Sequence, residues 1–128
     1  MDRYVEIAGS LLTQIATLQA LKTGEHREAD HVLTRLLAVH GVGLAMASTI
    51  LRFRNPRVFP IIDKRAYYAL FGAKLPVYHS THPAVKIATY FTYIDEAIQK
   101  SEQFEVPFEK MDRVLYLADK ARGAKVKH

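Results

Sequence analysis

Apolar residues recur along most of this chain at three- and four-residue steps, the spacing of helices with one buried face. Val5, Ala8, Leu12, Ile15 and Leu18, widened by Leu11 and Leu21, predict a first helix over about residues 3–22, ended by Thr23-Gly24. A second runs from about His26 to Val39, with Val32, Leu33, Leu36 and Leu37 inward and Glu25, Glu28 and Asp30 near its positive end. Gly41 and Gly43 then force a turn. From Leu44 to Leu51 the residues are small and apolar on most sides, as in a short buried helix, and Asn55-Pro56 stops it. Asp63 can cap a helix over about 64–71, with Gly72 as its stop. After a loop at 74–81, Pro83 opens a long helix to about Lys100 with Ile87, Tyr90, Phe91, Ile94 and Ile98 on one side. Pro107 opens the last, whose inner face is Phe108, Met111, Leu115 and Ala118.

One stretch, Val58-Phe59-Pro60-Ile61-Ile62, has strand-like residues. It is short, contains Pro60 and has no partner strand, so an extended connector is expected. The predicted fold is therefore all-α, about six helices in a single domain over 1–121, with a basic tail at 122–128.

Charge divides the chain unevenly. Between His31 and Ile94, Arg35, Arg52, Arg54, Arg57, Lys64, Arg65, Lys74 and Lys86 face a single acid, Asp63, a formal charge of +7, while the remainder sums to −2. Such polarisation points to a polyanionic partner docking on the central segment. A chain of 128 residues suffices for one ordinary core. Cys is absent, which excludes disulfides, thiolate metal sites and a cysteine nucleophile. No apolar run approaches the roughly 18 to 20 residues of a membrane span, and the first residues lack a signal peptide's pattern. A cytoplasmic, nucleoid-associated protein with no membrane partner is expected.

The glycine turn supplies the candidate chemistry. Val39-His40-Gly41-Val42-Gly43, between two apolar helices and followed by Ala47, matches the helix-hairpin-helix pattern of hydrophobic-x-Gly-hydrophobic-Gly. Glycines let such a turn bring its backbone close to a strand, and amides of the turn and of the next helix can meet phosphate oxygens with the helix dipole behind them. Val42 should point inward and lock the two helices together. Contacts of this kind hold the duplex backbone and choose no sequence. His40, Gly41, Val42, Gly43 and Ala45 are the candidate DNA-binding residues of the turn, and Arg52, Arg54, Lys64 and Arg65, with Arg57, a candidate phosphate track.

Gly41-Val42-Gly43, Ala47-Ser48, Ile50-Leu51, Phe59-Pro60-Ile61-Ile62-Asp63 and Arg65-Ala66 together resemble the helix-hairpin-helix DNA glycosylase superfamily, whose members carry a Gly/Pro-rich loop and a catalytic Asp. The resemblance spans about residues 33–72, and Asp63 stands twenty residues after Gly43, as that family's aspartate does. It implies excision of a damaged or modified base by cleavage of its N-glycosidic bond, with Asp63 activating water or stabilising the positive sugar while the base is flipped into a pocket. Bifunctional members carry a lysine two residues beyond the second glycine. Here that residue is Ala45, so the resemblance implies a monofunctional hydrolase that leaves an intact abasic strand. The absence of Cys leaves no ligands for the iron-sulfur cluster some members hold, and no cofactor is expected. Fewer than forty residues precede the hairpin, which leaves room for a protein partner that completes the base pocket. Tyr67, Tyr68, Tyr78 and Tyr90 are candidates for stacking on a base.

Plainer explanations stand beside these. Asp63 can be a helix cap and nothing more, and the arginines the solvated end of a helix. His79 and His82, without a third ligand, make a poor zinc site, as do His26 and His31 with Asp30. Ser48 suits packing better than nucleophilic attack. The chain could equally be a non-catalytic duplex-DNA-binding module within a larger repair or nuclease complex, or an interaction protein whose hairpin is only a turn.

Overall fold

The helix that opens at Pro83 organises the computed structural model, which describes residues 3–122 and the side chains of 9–121. Six α-helices and no strand occur among the described residues: α1 (Arg3–Thr17), α2 (Asp30–Leu37), α3 (Leu44–Arg54), α4 (Lys64–Phe71), α5 (Pro83–Gln103) and α6 (Met111–Arg122). Pro83 occupies the first turn of α5, where no amide is needed, and the His82 imidazole accepts the Ala84 amide at 3.0 Å to cap it. Ile87, Tyr90, Phe91 and Ile94 are buried as the periodicity predicts, joined by Tyr93 and Ala97, so α5 is covered on a wider arc than one stripe. It packs against α2, α3 and α4, and α4 lies along α6. Apolar burial of this kind is the main stabilising term, worth roughly 1.5–3 kcal/mol per large side chain.

Two boundaries near the start of the chain differ from the sequence reading. The first helix ends as α-helix at Thr17 and tightens into a 3-10 turn over Leu18–Ala20. Buried Asn55, which the sequence marks only as a helix stop, donates its side-chain amide to the Leu18 and Leu21 carbonyls at 2.9 and 3.0 Å, so these acceptors are satisfied without further helix. The second helix begins as a 3-10 turn over His26–Ala29, which carries His26 inward to Asp95 at 2.8 Å, and becomes α-helical only at Asp30.

Two inner-face assignments are corrected. Leu12 is 66% exposed, and Leu11, Ile15 and Leu18 form the packed face of α1 and its extension, because α1 meets α2 and α3 along that line. Ala118 is exposed while Asp119 beside it is buried. The inward positions expected at Val5 and Ala8, and the basic tail beyond Arg122, lie outside the described residues. No helix among the described residues is long and apolar enough to cross a membrane.

Candidate functional site

The turn 38–43 joins α2 to α3, and Val42 packs half-buried against the core between them. Gly41 has φ +87°, a left-handed conformation that a side chain disfavours. Gly43 is different. It is the N-cap of α3 with φ −92° and ψ 179°, extended backbone open to any residue, and a Cβ built there meets nothing within 4 Å. No side chain caps this helix, so its first amides face outward without an acceptor from the helix itself. His40, Gly41, Ala45 and Met46 are exposed around them.

Asp63 enters from the connector. Its Oδ1 accepts the Ala66 amide at 2.7 Å, the N-cap bond of α4, and Gly72 closes that helix in the left-handed conformation at φ 69°. The preceding residues have no strand partner, so side chains serve their backbone groups instead. Tyr90 Oη donates to the Pro60 carbonyl at 2.7 Å and Tyr93 Oη to the Ile61 carbonyl at 3.1 Å. The Ile61 amide donates to both oxygens of Asp112, and the Ile62 amide donates to Ser48 Oγ at 3.1 Å. Ser48 thus does more than pack: it spans from α3 to the residue before Asp63. Burial raises the phenols of Tyr90 and Tyr93 well above their ordinary range, which keeps them as proton donors to these carbonyls.

Asp63 is not the lone acid that the sequence suggests. Asp112 from α6 shares with it a cavity of about 190 Å³, completed by Ile61, Arg65, Ala66 and Tyr116. Burial raises the Asp112 carboxyl; the Ile61 amide and Arg52 oppose this, and the charge of Asp63 reinforces it. Sequence distance hid this residue, since it lies 49 positions beyond Asp63 with no motif around it.

A second cavity, of about 380 Å³, lies on the other side of Asp63 and brings the turn to the acid: Gly43, Leu44 and Ala45 line it with Asp63 and Lys64, and Tyr78, His79 and Lys86 close it. Lys86 is buried, and its Nζ donates to the His79 carbonyl at 3.1 Å. Lys86 carries no signal in the sequence beyond its charge.

The basic residues divide. Lys64 and Arg65 are exposed beside Asp63. Arg52 instead pairs with Asp112 at 2.9 Å and donates to the Glu109 carbonyl at 3.2 Å, facing α6. Arg54 donates to Gln19 Oε1 at 2.8 Å and lies toward α1. Arg52 and Arg54 are thus held by partners within the chain, while Arg52 and Arg65 both lie beside Asp112. Of the candidate tyrosines, Tyr90 is in the core, Tyr67 stacks on Phe71 with ring centres 4.5 Å apart, and Tyr78 is exposed on the larger cavity; exposed Tyr116, which the sequence does not single out, lines the smaller one beside Asp63. Among the described residues no three His, Asp or Glu side chains gather as a metal site requires. No family model, curated protein or solved structure matches the chain.

Proposed function

We propose that the protein binds duplex DNA through Gly41 to Ala45 and hydrolyses the N-glycosidic bond of a damaged or modified base with Asp63, as a monofunctional glycosylase of the helix-hairpin-helix type. The observation that carries this reading is the shared cavity. A turn suited to phosphate and a rigidly held carboxylate line one concavity of about 380 Å³, within the range of small-ligand sites. The glycine at 43 supports it too: the fold does not need a residue without a side chain there, whereas a phosphate approaching the α3 amides does. In this mechanism the duplex backbone rests on the turn, Lys64 and Arg65. Asp63, fixed by the Ala66 amide and the clamped connector, faces the sugar and either takes a proton from water or offsets positive charge at C1′.

The bond from Asp63 to Ala66 also favours the alternative, a duplex-binding module in which Asp63 only caps α4. Base release from duplexes carrying uracil, alkylated purines or oxidised guanine, with neutral and alkaline work-up, separates the two. An enzyme gives strand breaks only after alkali and loses them in Asp63→Asn; a module gives none, yet binds any duplex in a salt-sensitive way.

A further inference from the structure

The cavity beside Asp63 holds a group the mechanism above does not use. Lys86 comes from the first turns of α5 and is buried, 9% exposed. The His79 carbonyl accepts one of its three N–H groups at 3.1 Å. No other partner occupies it among the described residues, and an ammonium has no acceptor to offer. Lys64 also lines the cavity, so two cationic residues share it with the single carboxylate of Asp63.

We infer that this cavity receives an extrahelical base whose edge carries carbonyl acceptors and which leaves the sugar as an anion, with Lys86 as the residue that recognises it and stabilises its departure. The inference rests on the proposed glycosylase reading. When the C1′–N bond breaks, its electron pair goes to the base, which gains a negative charge if it was neutral before. Lys86 donates a hydrogen bond to that charge. The water oxygen bonds to C1′, the water proton passes to Asp63, and the expelled base later takes up a proton from solution. A base already cationic, such as a ring-methylated purine, leaves as a neutral molecule; it needs no such donor, and the ammonium repels it on entry. Tyr78, 77% exposed at the rim, offers a ring for the base to stack against.

The test compares single-turnover release of uracil, 8-oxoguanine and 7-methylguanine from otherwise identical duplexes by the full chain and by Lys86→Met and Lys86→Arg. The expected result is release of uracil or 8-oxoguanine in preference to 7-methylguanine. Lys86→Met should lower the favoured rate by about 100-fold, the size of effect from removing one donor to a developing anion. Release of 7-methylguanine should be unchanged or raised, and Lys86→Arg should retain the wild-type preference. Binding to a duplex with a tetrahydrofuran abasic analogue shows whether each variant is folded; if Lys86→Met is not, the wild-type and Lys86→Arg ratios decide. Equal or faster release of 7-methylguanine by wild type overturns the inference while the glycosylase reading stands. Absence of release from every duplex overturns both.

Discussion

The Asp112 carboxylate accepts the Ile61 amide with both oxygens, at 3.1 and 3.2 Å, so the last helix fixes the chain two residues before Asp63. The same carboxylate pairs with Arg52 of α3. Asp112→Ala therefore leaves a part-buried amide without its acceptor and a part-buried guanidinium without its carboxylate, and the expected loss is about 2–4 kcal/mol of unfolding free energy in urea titrations. Asp112→Asn, which keeps an oxygen for Ile61, should lose less than half of that. Equal losses from the two variants would show that the Ile61 bond contributes nothing.

Asp63 has two separable duties. Asn caps a helix as well as Asp, so Asp63→Asn should leave the denaturation midpoint nearly unchanged while abolishing base release. Asp63→Ala loses the bond to the Ala66 amide as well and should cost about 1 kcal/mol. Denaturation curves and release assays on the same preparations check both halves.

The two glycines of the turn should respond in opposite ways. At Gly41, with φ +87°, alanine is strained, and Gly41→Ala should destabilise by about 1–2 kcal/mol. At Gly43 serine meets nothing, fits the backbone and can cap α3, so Gly43→Ser should match or exceed wild-type stability. On the proposed reading it should nevertheless weaken duplex binding, because the hydroxymethyl group stands where a phosphate would rest. Titrations with fluorescent duplex at fixed salt, beside thermal melts, separate the effects.

His26 should make stability fall in mild acid. Burial lowers its pKa from 6.5; the hydrogen bond and charge of Asp95 pull the other way, and Arg27 adds to the lowering. Since the folded pKa lies below the unfolded one, the unfolded chain binds the extra proton first. Its contribution is full above pH 6.5 and declines as pH falls from there toward the folded pKa. His26→Gln should flatten stability over that interval. Asp95, whose pKa is lowered chiefly by its hydrogen bond to Arg27, acts in a separate window: its contribution is lost as pH falls through the range below 3.8. Urea midpoints at closely spaced pH values distinguish them.

Helical periodicity and stop residues made all six helices legible in the chain, since Pro83, Gly72 and Asp63 act through local geometry that neighbours do not alter. The 3-10 turn at His26 was not legible, because its cause is Asp95, 69 residues away. The same holds at the candidate site. Asp63 and the glycine turn announce themselves in order and spacing, whereas Ser48, Tyr93, Asp112 and Lys86 matter only through neighbours that packing supplies. Arg52 shows the converse: its charge is obvious in the sequence, but its partner on α6 is not.

The clamped connector also has a signature in hydrogen exchange. The Ile61 and Ile62 amides belong to no helix, yet their acceptors come from α6 and α3 and the neighbouring carbonyls are held from α5. Freeing either amide means parting elements of the main core. These two protons should therefore exchange at rates close to those of mid-α5, so that a segment without regular structure reports global unfolding. The backbone leading to the acid would then be among the last parts of the molecule to open.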